Sequence, residues 1–356
     1  MAAALIHGGD IYGRKPTDGA DFLDYSSNVN PLGVPTSVKA AMAAAAETAD
    51  RYPDPLCRGL RKAIAQSEGI NENNIFCSNG AADIIYRVTA AKKPKKAIVT
   101  APCFAEYELA LKNVGCEITE YPLSADNGFV ITEEISDLLV DGIDMIFICN
   151  PNNPTGKLID KPVLDKIVKR CIQNDMLLVV DECFLGFCDD YSLRSLKSYA
   201  NNSKNIVVIN AFTKLYGMAG VRLGWCVCSD RKLTDAMFEA GQPWAVSSIA
   251  QAAGIAALSE KRYVAESRVM TVLERDYLTE QLKKLGVKVI NSDANFIMFY
   301  SCDKRLAEKT ESQGILIRDC SNFSGIGKGW YRIAVKQRQQ NERLIAAVKK
   351  ALEEDI

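Results

Sequence analysis

Residues Met145-Ile146-Phe147-Ile148-Cys149 carry no charged or strongly polar side chain, and neither do Met176-Leu177-Leu178-Val179-Val180. A strand alternates its side chains between two faces, so a wholly apolar strand must be covered on both. That demand selects a parallel sheet with helices on either side, and it excludes a sheet with one wet face. The segment between the two runs, Lys161 to Gln173, reads as the covering helix. Ala97 to Thr100 and Ile206 to Ile209 are further strands of the same kind. Ile75-Phe76-Cys77 precedes a helical stretch running to Ala91, and a helix starts at Ala105. Ahead of these, Ser37–Thr48 and Leu56–Gln66 read as helices, broken by Pro53 and Pro55. The pattern predicts an α/β fold with a large, doubly wound, mostly parallel sheet.

After about Ser247 the pattern changes. A long helical stretch to Leu285, broken near Glu260, leads to strand-like runs at Val287–Ile290, Asn295–Tyr300, Ile315–Arg318 and Tyr331–Val335, then a terminal helix. This predicts a smaller α+β domain. The expected division is a large domain over 36–246, with an N-terminal arm over 1–35 and a small domain over 247–356. The arm reads as irregular, because Asn28-Val29-Asn30-Pro31-Leu32-Gly33 is a turn-forming cluster.

Polar residues collect just past the strand ends, where sheets of this type bind ligands. The densest group is Asn210 to Gly224. It contains Thr213, Lys214 and Arg222. A lysine at the end of a buried strand is costly unless it has a partner or a covalent role. Desolvation lowers its pKa, and the neutral amine can condense with a carbonyl as a Schiff base. Thr213 and Arg222 suit a phosphate, one as a hydroxyl donor and one as a planar fork. A phosphorylated aldehyde, pyridoxal phosphate, meets both demands. The chemistry of that cofactor assigns the remaining roles. Asp181 would keep the ring nitrogen protonated, Asn153 would donate to the ring oxygen, and Phe104, in preference to Tyr107, would stack on the ring. Gly80, Ala81 and Ala82 would offer the N-terminus of a helix to the phosphate.

Bulk properties remove other function classes. The formal net charge is −1, which argues against nucleic acid or an anionic membrane as partner. No apolar run approaches a membrane span. The 12 cysteines include no C-x-x-C pair and His7 is the only histidine, so no metal site is expected. Met1 to Ile6 is a poor secretion signal, and a reducing cytoplasmic location is expected.

The motifs Asn150-Pro151-Asn152-Asn153-Pro154-Thr155-Gly156, Asp181-Glu182 and Phe212-Thr213-Lys214 with Gly220-Val221-Arg222-Leu223-Gly224 give the chain its resemblance. It resembles the fold-type I pyridoxal-phosphate enzymes of the class I/II aminotransferase superfamily over nearly all its length. The resemblance implies a homodimer in which Tyr52 reaches the cofactor phosphate of the neighbouring subunit. It makes Arg332 the ligand of the substrate carboxylate. Arg318 and His7, with the loop that contains Asn30, Leu32 and Gly33, become candidates for the far end of the substrate.

Within the superfamily the chain is similar to threonine-phosphate decarboxylases, which make the aminopropanol-phosphate arm of cobalamin, and to histidinol-phosphate aminotransferases. The opening His7-Gly8-Gly9, the Ser27–Gly33 segment, Pro243-Trp244-Ala245-Val246 and Ile317-Arg318-Asp319-Cys320-Ser321-Asn322-Phe323 favour the decarboxylases. A third reading is a non-catalytic cofactor-binding regulatory domain. Two departures stand out. Phe184 replaces a tyrosine that usually donates to the ring oxygen, and Ala211 replaces a phosphate-binding serine.

Overall fold

The apolar runs lie side by side in a seven-stranded sheet. Across it the order is Ile75–Ser78, Gly224–Val227, Ile206–Ala211, Leu177–Asp181, Met145–Cys149, Lys96–Ala101 and Glu117–Pro122. Gly224–Val227 runs antiparallel to both its neighbours, and the other pairings are parallel. The computed structural model describes residues 7–12 and 21–354.

Each apolar strand feeds two cores. Ile146 and Ile148 point to one face, where Leu164 and Ile167 of helix Lys161–Gln173 cover them. Phe147 and Cys149 point to the other, under Ile84 and Val88 of helix Gly80–Lys92 and Leu111 of helix Ala105–Asn113. Burying each such side chain contributes roughly 1.5–3 kcal/mol, which is why neither face tolerates a polar residue.

The second sheet has four antiparallel strands in the order Arg318–Asp319, Trp330–Ala334, Phe296–Tyr300 and Lys288–Ile290. Leu278 and Leu282 of helix Lys261–Lys284, and Leu344 and Val348 of helix Arg338–Glu353, pack on it.

Two expectations need correction. The run Ile315–Arg318 is not one strand. Ile315–Leu316 pairs with Leu23–Asp24, whereas Arg318–Asp319 pairs with Tyr331 and Arg332 in the four-stranded sheet. The N-terminal arm is therefore not wholly irregular: its strand Leu23–Asp24 is tied to the small domain. Residues 1–6 and 13–20 of the arm lie outside the described residues. Ala250, Ala253 and Ala257 of helix Ser248–Ala257 pack in one cluster with Val38 and Leu60, and Ile290 and Met298 belong to the same cluster.

The edge strand Glu117–Pro122 and helix Arg231–Glu239 had no counterpart in the sequence reading, and neither did the short helices Tyr191–Arg194 and Lys197–Asn202. Among the described residues, no helix is long and apolar enough to cross a membrane, and no cluster of three or more His, Cys, Asp and Glu residues could hold a metal ion.

Candidate active site

The parallel strands end along one edge of the large sheet, and the polar residues beyond them line a cavity of about 250 Å³. Lys214 reaches it from strand Ile206–Ala211. Ala211 is still extended, and the chain then folds into the single turn Phe212–Leu215. Phe212 and Thr213 are buried, which leaves Lys214 facing the cavity. Its amine makes no hydrogen bond or salt bridge among the described residues, and sits 5.9 Å from the centroid of Phe184. Burial, then the charges of Arg332 and Arg222, lower its pKa from 10.5 to about 8, against the opposing pull of Cys183 and Asp181. Roughly a tenth of the amine is therefore neutral at pH 7, far more than for an exposed lysine.

Asp181 is the last residue of strand Leu177–Asp181 and is buried. Its Oδ1 accepts from the Cys183 backbone N–H at 2.9 Å, and its Oδ2 accepts from the Tyr107 hydroxyl at 2.7 Å. Phe104 and Tyr107 both border the cavity; Tyr107 is fully buried and meets Phe104 edge-on at 5.7 Å.

Opposite Lys214 the helix Gly80–Lys92 begins. Its N-cap, Asn79, makes no side-chain capping bond, so the first-turn N–H groups remain available to an anion. Ala81 and Ala82 line the cavity there, with Thr213 and Arg222 beside them. Gly80 does not line it. Its φ is +86°, and a Cβ at this position would lie 2.7 Å from Nη2 of Arg222.

At the other end, Arg332 is buried on strand Trp330–Ala334. Its Nη1 donates to Oδ1 of Asn153, and its Nη2 donates to the Ser26 carbonyl at 2.8 Å. Burial, together with the neighbouring charge of Arg318, brings its pKa down to about 10. It remains a cation at neutral pH, and a desolvated cation attracts a carboxylate strongly. Because Asn153 uses its oxygen on Arg332, its amide nitrogen is left to donate. Arg318 faces the same cavity, donates from Nη2 to Asn322 at 2.7 Å and packs over Phe323. His7 is also in the lining, its Nε2 bonded to Glu106, whose other oxygen accepts from Tyr86 at 2.7 Å.

Several expected residues lie elsewhere. Asn30, Leu32 and Gly33 do not line the cavity. The Asn30 carboxamide is fully occupied: Nδ2 donates to Leu215 O and Ser267 Oγ, both at 2.7 Å, and Oδ1 accepts from Leu32 N at 3.1 Å. The Gly33 carbonyl accepts from Tyr263 at 2.7 Å. Their place in the lining is taken by Gly8, Ser26, Ser27 and Asn28, which the sequence reading did not single out by side chain. Asn28 is 2% exposed, and its Oδ1 has no partner among the described residues. The pairing of Leu23–Asp24 with Ile315–Leu316, together with bonds from Arg332 to the Ser26 carbonyl and from Asn295 to the Asn28 carbonyl, brings this turn to the cavity, and no local signal encodes these long-range contacts. Gly8 is needed because a Cβ there would lie 2.4 Å from the Ser26 carbonyl oxygen. Tyr52 is 80% exposed and stacks on Trp244 at 4.6 Å, away from its own chain's cavity.

These residues fit pyridoxal phosphate. The uncapped helix start and Arg222, closed in by the absent side chain of Gly80, form an anion cradle. A partly neutral lysine and a buried carboxylate at a strand end stand across the same cavity. Phe184 presents no hydroxyl to it and packs edge-on against Phe296 at 4.9 Å.

The family described as aminotransferase class I and II matches residues 20–348. The chain is 34% identical over 355 residues to threonine-phosphate decarboxylase from Salmonella typhimurium, covering 97% of this chain and 96% of that protein. It is 33% identical over 343 residues to histidinol-phosphate aminotransferase from Methanosarcina mazei, covering 94% and 89%. Among solved structures, the histidinol-phosphate aminotransferase from Clostridium acetobutylicum superposes with a TM-score of 0.87 at 29% identity, covering 93% of this chain and 99% of that one.

Proposed function

The chain belongs to the class I and II aminotransferase family and is a pyridoxal-phosphate-dependent enzyme of fold type I; on that footing we propose that it decarboxylates threonine phosphate to aminopropanol phosphate, a step of cobalamin biosynthesis. The observation that carries this reading is a pair of guanidinium groups, Arg318 and Arg332, on the wall of the cavity that holds Lys214. A substrate with a carboxylate at one end and a phosphate at the other would engage both.

The bound cofactor supplies an electron sink for a bond broken at the substrate's Cα. The chain's residues do the rest. Arg332, fixed by Ser26 and Asn153, holds the carboxylate. Arg318 and His7, with Ser27 and Asn28 nearby, take the phosphate. Lys214 anchors the cofactor and returns a proton to Cα. Asp181 would keep a proton on the ring nitrogen, Phe104 would cover the ring, and the amide of Asn153 would donate to the ring oxygen in the absence of a phenol at Phe184. The 34% identity to a threonine-phosphate decarboxylase supports the same reading.

The similarity to histidinol-phosphate aminotransferases supports a second reading, amino transfer to 2-oxoglutarate. Histidinol phosphate is phosphorylated too but carries no carboxylate, so in this reading Arg332 would hold the carboxylate of the 2-oxo acid instead. The enzyme is proposed to act in the cytoplasm as a homodimer, with the exposed Tyr52 reaching the partner's cofactor phosphate.

Kinetics on threonine phosphate and on threonine test the substrate assignment. Binding energy from a remote phosphate orients the reacting bond, so its loss should cut kcat as well as raise KM. Arg318→Ala should penalise threonine phosphate and leave the kcat/KM for threonine nearly unchanged. An equal loss on both substrates would contradict the role given to Arg318.

A further inference from the structure

Tyr107 is completely buried. Its ring lies flat on Phe147, with centroids 5.1 Å apart and planes 7° apart, and its edge meets Phe104 at 80°. Phenylalanine would fill the same space. The hydroxyl is therefore an addition that packing does not require, and a buried hydroxyl is costly unless it is paired. Its partner is Oδ2 of Asp181 at 2.7 Å. Burial, then the neighbouring Asp181 and Cys149, raise the phenol's pKa well above its ordinary value, so it stays protonated and donates.

The other carboxylate oxygen is held by the backbone N–H of Cys183 at 2.9 Å. With a donor on each oxygen, the carboxylate cannot rotate without breaking one of the two bonds. Tyr107 lies in the first turn of helix Ala105–Asn113, and Phe104 is the N-cap of that helix. One helix start therefore carries both Phe104 and the residue that grips Asp181.

We infer that Tyr107 is a positioning residue: its hydroxyl sets the orientation in which Asp181 meets the cofactor's ring nitrogen, and its ring edge sets Phe104 against the ring face. This role does not depend on which reaction the enzyme carries out, so it stands or falls separately from the decarboxylase reading.

The test is a double-mutant cycle on cofactor affinity, measured by titrating the cofactor-free proteins with pyridoxal phosphate. With Asp181 present, Tyr107→Phe should weaken binding roughly tenfold, the effect of one hydrogen bond to a charged group. With Asp181→Asn, the same substitution should change affinity by no more than about twofold, since the anion it steadies is gone. The cofactor-free Tyr107→Phe protein should fold and melt close to wild type. Equal losses in the two backgrounds, or unchanged affinity with Asp181 present, would overturn the inference. So would a Tyr107→Phe protein that fails to fold, because the hydroxyl would then be structural.

Discussion

Gly80 and Arg222 are packed so closely that a side chain on the first would displace the second: a Cβ on Gly80 would lie 2.7 Å from Nη2 of the arginine. Both residues have left-handed backbone, with φ of 86° and 58°. Gly80→Ala should push the guanidinium out of the anion cradle and strain the helix start. Cofactor affinity should fall by roughly a decade, while Arg222→Ala should cost about 1.5–3 kcal/mol, or one to two decades. Fluorescence titration of the cofactor-free variants measures both. Unchanged affinity in Arg222→Ala would remove this arginine from the phosphate site.

Lys214 gives a pH signature in the cofactor-free protein. Its pKa is about 8 when folded, against an ordinary 10.5. Between those values the unfolded chain binds more protons than the folded one, so this group makes stability rise with pH. Below about 8 the amine is charged in both states, and its burial is a constant penalty. Lys214→Met should therefore stabilise the cofactor-free protein near neutral pH, and its advantage over wild type should shrink as pH rises from about 8 to 10.5. Chemical denaturation at a series of pH values checks this. A pH-independent difference would mean that the lysine is not desolvated.

The parallel strands were legible because burial on both faces forces an unbroken apolar run, as at Met145–Cys149. Glu117–Pro122 was not, because it is an edge strand with Glu117 and Glu120 exposed, and it carries no such run. Lys214, Asp181 and Arg222 could be read because each lies close to a strand that the sequence announces. Asn30 misled for the opposite reason. A loop asparagine looks available, and only the fold shows its carboxamide bonded to Leu215 and Ser267. The partner of helix Ser248–Ala257 was not legible because the helix is alanine-rich and lacks a marked apolar stripe. Its small side chains suit close packing against the equally alanine-rich helix Thr36–Ala46.

Tyr25 ties the N-terminal arm to the small domain. Its hydroxyl donates to Oδ1 of Asn341 at 2.8 Å, and Nδ2 of Asn341 donates to Glu274 at 2.8 Å, all in the buried interior. Tyr25→Phe should lower unfolding stability by about 1–2 kcal/mol. It should also loosen the Ser26–Asn28 turn that follows it in the chain, raising KM for a phosphorylated substrate more than it lowers kcat. Urea denaturation and steady-state kinetics measure the two effects. A variant as stable as wild type would show that the hydrogen bond to Asn341 does not anchor the arm.

The central claim is that Arg332 and Arg318 hold the two anionic ends of one small substrate beside Lys214. Incubating the cofactor-loaded protein with threonine phosphate and no keto acid tests it most directly, with carbon dioxide and aminopropanol phosphate followed over time. Many turnovers per active site are expected, with both products formed in equal amounts. A single conversion of the cofactor to its amine form, without carbon dioxide and reversed by 2-oxoglutarate, would contradict it and establish amino transfer instead.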